Sequence, residues 1–81
     1  MKLLKTIAKI ERIDQLIRLK ATGTPSQLAK RLSISERSVF NILNMMKELG
    51  APIHYSGFRQ SYYYEESVNF RFGFFKDSDL L

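Results

Sequence analysis

Arg37, Asn41 and Asn44 stand four and three residues apart in the stretch "SISERSVFNILN", residues 33–44. On a helix turning about 100° per residue they fall within about 60° of one another. Their chemistry is recognition by hydrogen bonds rather than bond making. A guanidinium donates two parallel bonds to a guanine edge, and a carboxamide pairs bidentately with an adenine edge. Val39, Ile42, Leu43, Met46 and Leu49 form an apolar stripe on the opposite side of the same helix. One side thus serves the protein's own core and leaves the other for a partner. Ser35, Ser38 and the free amides at the helix start suit phosphate oxygens. Glu36 either accepts from cytosine or complements the helix dipole. The plain alternative is a solvated face, with ordinary surface asparagines and an Arg37–Glu pair.

Charge points the same way. The 81 residues carry a net charge of +5. The first 50 hold ten Lys+Arg against four Asp+Glu, and the rest hold three against four. A basic first part suits a polyanion, most often nucleic acid. The chain is long enough for one domain. At this size only roughly 60% of the unfolded surface is buried, which disfavours a cavity for a sizeable ligand. There is no cysteine and a single histidine, His54. Disulfides, thiolate zinc sites and histidine clusters are therefore excluded. No nucleophile–base set or carboxylate pair stands out, so neither an enzyme nor a cofactor is expected. The start "MKLLKTIAKI" has no unbroken apolar run. It reads as neither a signal peptide nor a membrane span, and a cytoplasmic protein without a membrane partner is expected.

The elements that position these residues follow from spacing. Leu3, Ile7, Ile10, Ile13 and Ile17 predict a helix from about residue 2 to residue 20. Lys2, Lys5, Lys9, Arg12 and Lys20 fall beside that stripe, as a solvated face. Gly23 is the expected stop. Thr24, Pro25 and Gln27 make a capping box with proline at the first helical position. They start a short helix over 25–32, with Leu28 and Leu32 inward and Ala29 beside them. Ser33–Ile34–Ser35 is the turn, Ser35 caps the next helix over 36–49, and Gly50 ends it. The period then becomes two. "PIHYS" and "SYYYEE" read as strands around the tip "GFRQ", with Gly57 allowing the sharp turn. Ile53 and Tyr55 share one face of the first strand, and Tyr62 and Tyr64 one face of the second. Tyr63 points the other way, and His54 faces solvent. "VNFRFGF" alternates again, with Val68, Phe70, Phe72 and Phe74 on one side, and predicts an extra C-terminal strand. Residues 67–81 are thus read as a strand and tail following a domain over 1–66.

A short helix, a three-residue turn and a second helix make a helix-turn-helix. Leu28, Ala29, Leu32, Ile34, Val39 and Ile42 occupy the places that lock such a pair. Many such turns carry glycine where Ser33 stands; serine tolerates positive φ less well, so a slightly different turn is expected. Three helices and then a hairpin give a mainly α chain in winged-helix order.

The stretch "GTPSQLAKRLSISERSVFNILNMMKELGAPIHYSGFRQSYYY" resembles the DNA-binding domains of bacterial transcriptional regulators of the DeoR, biotin-repressor and WYL-domain types. "SERSV" and "LGAPIHY" carry the likeness most closely, over about residues 8–66. The resemblance implies a winged helix-turn-helix with helix 36–49 in the major groove of double-stranded DNA. It implies a hairpin wing, residues 53–65, along the backbone or in the minor groove. Those families often carry a basic residue where this chain has Asn41, so sequence preference should differ. Many also carry a sensor domain, for which this chain has no room; any signal is then expected through a separate partner protein.

Together these readings nominate Arg37, Asn41, Asn44 and Glu36 for base edges. Thr24, Ser26, Lys30, Ser35, Ser38 and the tip cation Arg59 are nominated for the backbone. A homodimer is a further expectation, from the length of the first helix and the aromatic row of the last segment. Two other classes stay open. The aromatic segment "VNFRFGFF" suits a protein-interaction module. Tyr and Phe residues after position 54 suit stacking on RNA or single strands, although their spacing fits hairpin core better.

Overall fold

The computed structural model describes residues 2–74 and consists of three helices followed by a two-stranded antiparallel hairpin. The elements are α1 (Lys2–Arg18), α2 (Pro25–Leu32), α3 (Glu36–Glu48), β1 (Ile53–Ser56) and β2 (Ser61–Tyr64). One core joins them all. Ile10, Ile13, Leu16 and Ile17 of α1 and Leu28 and Ala29 of α2 belong to it. Val39, Ile42, Leu43 and Met46 of α3 and Ile53 and Tyr62 of the hairpin complete it.

α1 ends earlier than glycine placement suggests. Lys20 takes the left-handed conformation, φ 53°. Its N–H donates to the Ile17 carbonyl, and the Ala21 N–H donates to Leu16, both at 2.9 Å. That pair of bonds satisfies the last carbonyls of the helix. Lys20 therefore leaves the α1 face on which its spacing had put it. Gly23 has a different task. It sits at φ 73°, and a Cβ there would lie 2.4 Å from Gln27 Oε1. Its bareness lets Gln27 fold back to the start of α2.

The first two turns of α1 contribute no buried residue. Leu3, placed on the core stripe by its spacing, is 52% exposed, and Leu4 is exposed beside it. The helix outruns the body it packs on. Leu49, read as the end of the α3 stripe, is also exposed. It is the C-cap residue, already outside helical geometry at ψ 0°.

Both expected N-caps form. The Gln27 N–H donates to Thr24 Oγ1 at 3.2 Å, and the Thr24 N–H donates back to Gln27 Oε1 at 2.9 Å. Ser35 Oγ accepts the Ser38 N–H at 3.1 Å. The turn between the helices needs no glycine. Ser33 itself adopts φ 56°, ψ 42°, and the following Ile34 N–H closes onto Ala29 at 3.0 Å.

In the hairpin, Ile53 faces Tyr64, Tyr55 faces Tyr62 and Ser56 faces Ser61. The free edge of β2 is covered by a side chain. Thr22, wholly buried in the α1–α2 connector, accepts the Tyr62 N–H on its Oγ1 at 2.9 Å. Its own N–H donates to Ser61 Oγ at 3.2 Å. Thr22 thus occupies part of the β2 edge, and the expected C-terminal strand is absent from the described residues. The chain bends at Glu65–Glu66 and leaves the sheet. The alternation of Val68, Phe70, Phe72 and Phe74 finds no ladder there. Val68 and Phe70 instead lie half-buried along a cleft with Asp14, Met46, Leu49 and Tyr64, while Phe72 and Phe74 are exposed. Residues 67–74 thus lie partly against the helical body rather than forming a strand beyond it. The rest of the expected tail lies outside the described residues.

Candidate nucleic-acid interface

α3 separates its two sides cleanly. Val39, Ile42, Leu43 and Met46 are buried. Glu36, Arg37, Asn41 and Asn44 are exposed. Among the described residues, neither Arg37 nor either asparagine has a side-chain hydrogen bond or ion pair. The alternative Arg37–Glu pair is therefore not formed there. Phe40, beside Asn41 in the chain, is 46% exposed.

The helix starts carry less spare capacity. Ser35 accepts the Ser38 N–H and donates its own hydroxyl proton to Ser38 Oγ at 3.1 Å. Thr24 is engaged with Gln27 in both directions. Ser26 and Lys30 are exposed on α2. These groups frame the α2–turn–α3 corner. Arg59 lies apart from them, at the hairpin tip.

The tip spans Gly57–Gln60 between the paired Ser56 and Ser61. The sharp turn is made at Gln60, φ 51°, and not at Gly57, whose φ is not positive. The Arg59 N–H donates to Ser56 Oγ at 3.2 Å, while the exposed guanidinium has no partner among the described residues. Phe58 beside it is 98% exposed.

Cations are seldom neutralised internally. Arg18 pairs with Asp14 at 3.0 Å, and His54 Nε2 lies in hydrogen-bond contact with Glu65 Oε2 at 3.1 Å. Lys2, Lys5, Arg12, Lys30, Arg31 and Lys47 stay exposed without a described acidic partner. His54 faces solvent as its strand position predicts, 5.8 Å from the Tyr63 ring centroid.

Sequence reasoning missed a polar seam between α1 and β2. Asp14 is only 8% exposed, in the middle of α1. Its Oδ1 accepts the Tyr64 hydroxyl proton at 2.7 Å, and its Oδ2 accepts the Arg18 Nε–H at 3.0 Å. Arg18 Nη2 donates onward to the Val68 carbonyl. Burial, and then the bond to Asp14, raise the Tyr64 hydroxyl well above its ordinary pKa. Tyr62 is raised as well, by burial first and then by Tyr55 and Glu36. The i, i+4 spacing of Asp14 and Arg18 was the one local sign of this cluster.

Among the described residues no group of three His, Cys, Asp or Glu could hold a metal ion. No described helix is long and apolar enough to cross a membrane. No family model, curated protein or solved structure matches the chain.

Proposed function

We propose that this chain is a winged helix that binds double-stranded DNA sequence-specifically, as a small cytoplasmic transcriptional regulator. α3 enters the major groove, and the hairpin over 53–65 serves as the wing. One observation carries the reading: α3 buries Val39, Ile42, Leu43 and Met46 and holds Arg37, Asn41 and Asn44 exposed, with no internal partner among the described residues. A polar row without an internal role is what base-edge contact requires. The unneutralised lysines and arginines supply the sequence-independent attraction. Ser26, Lys30 and Arg59 contact phosphates, while Ser35 and Thr24 chiefly secure the helix starts.

A homodimer accompanies this reading. The start of α1 offers the exposed Leu3 and Leu4 to a second copy, which would double a short footprint. Light scattering checks it: a dimer free or on DNA is expected, and a monomer in both states removes it.

The test of function is selection of bound duplexes from a random pool, followed by a salt titration. About five neutralised phosphates give a slope of log K against log salt of roughly −4 to −5. No enrichment, with a slope near zero, would favour the protein-interaction alternative.

A further inference from the structure

The hairpin tip holds a large apolar side chain that the core does not explain. Phe58 is 98% exposed, so it contributes nothing to the core. An aromatic ring at a polar tip offers a partner a large, flat contact area. The tip beneath it is built to be stiff. The Arg59 N–H is tied to Ser56, and Gln60 holds a left-handed conformation. Below them the Tyr55 and Tyr62 rings meet edge to face at 4.9 Å, and Tyr62 is anchored to Thr22. A braced hairpin therefore presents Phe58, Arg59 and Gln60 in succession.

The neighbours decide what covers the ring. A lipid surface would reward several apolar residues, and this tip has one. A protein pocket would accept Phe58 and still have to match a cation and an amide on either side of the insertion. A DNA minor groove takes all three together. An apolar wedge enters between base pairs, arginine seeks the negative potential of a narrow groove, and glutamine bonds to the acceptors on its floor. Lys20 and Arg59 border one cleft on the hairpin flank, so a second cation lies close to a groove edge; Glu65 shares that cleft wall.

We infer that Phe58 is a wedge, inserted from the minor groove at a flexible pyrimidine–purine step, that unstacks the step and bends the duplex toward α3. This rests on the DNA-binding reading and adds to it a bending activity and a class of preferred step. The bend brings the duplex around the protein, which lets α3 and the tip engage one short site.

The test uses the full chain and its selected duplex. One copy carries 2-aminopurine at the pyrimidine–purine step nearest the tip, and another carries a donor and an acceptor dye at its ends. The unaltered protein should raise 2-aminopurine fluorescence and shorten the end-to-end distance, for a bend of about 20° or more. Phe58→Ala should abolish both signals and weaken binding about 5- to 150-fold. Its unfolding midpoint should not change, because the side chain is exposed. Phe58→Leu should keep part of the bend. Binding by the unaltered protein to a straight duplex with no fluorescence change would overturn the wedge and leave the DNA reading intact. So would a Phe58→Ala variant that bends normally, whatever its affinity. Failure to bind any duplex would overturn both.

Discussion

The outer face of α3 and the seam between α1 and β2 are both polar, and they treat their polar groups in opposite ways. In the seam, Asp14, Arg18, Tyr64, Thr22 and Ser61 are buried or half-covered and answer one another's hydrogen bonds. No buried side-chain polar atom of the described residues is left without a partner. On α3, Arg37, Asn41 and Asn44 bond to nothing internal that is described. A buried polar group must be satisfied inside or it destabilises the fold. An exposed one costs nothing while water serves it, so it is free for a partner. The difference teaches where to look for function: in the unanswered row, not in the answered one.

Variants that break the seam should therefore cost stability, and variants on α3 should not. The largest loss is expected from Asp14→Ala. It strands the Tyr64 hydroxyl and leaves Arg18 half-covered without its acceptor. We expect about 2–3 kcal/mol, below the figure for a fully buried pair because Arg18 still reaches water. Urea unfolding measures it, and a loss under about 0.5 kcal/mol would mean that the seam is ornamental to stability.

Thr22→Val should come next, at about 1–2 kcal/mol. The shape is kept, but the Tyr62 N–H loses its acceptor and the β2 edge is uncovered. Faster exchange of the Tyr62 amide should accompany the loss; unchanged exchange would show that another group covers that edge.

Gly23→Ala probes the α2 start rather than the seam, and about 1 kcal/mol is expected. The new Cβ displaces Gln27 and opens one arm of the capping box. Amide exchange at Thr24 should rise while α3 stays protected.

At neutral pH the smallest effect is ionisation of the tyrosines. Tyr64 and Tyr62 are raised in the fold above the ordinary value of 10.0. Below that value both states hold the proton and stability is flat. Above it the unfolded chain ionises first, so stability falls as pH rises toward the folded values. Unfolding midpoints from pH 8 to 11 should show a plateau and then a decline. Tyr64→Phe should flatten the decline, and a decline already under way at pH 8 would contradict this assignment.

Legibility followed range. The caps at Thr24 and Ser35 were readable because donor and acceptor lie three residues apart. The three helices and the hairpin were readable because burial imposes a period on neighbours. Asp14 and Tyr64 are 50 residues apart, and Thr22 and Tyr62 are 40 apart. No local pattern marks either pair. Period also misled at Val68–Phe74: alternation requires an open edge to pair with, and Thr22 takes the Tyr62 N–H on that of β2. Two left-handed residues were misplaced as well. Lys20 and Gln60 take that conformation, while the sequence offered Gly23 and Gly57 nearby. On α3 the row Arg37, Asn41 and Asn44 was legible as an exposed face, because helical spacing alone separates it from Val39, Ile42 and Leu43.

The most direct test is the affinity of Arg37→Ala for the selected duplex and for a duplex changed at the base pair that Arg37 prefers. Its unfolding free energy should stay within about 0.5 kcal/mol of the unaltered protein. On the selected duplex the loss should be about 1–3 kcal/mol, and on the changed duplex close to none. Equal loss on both would make Arg37 a phosphate clamp, and no loss on either would mean that the exposed face of α3 does not read DNA.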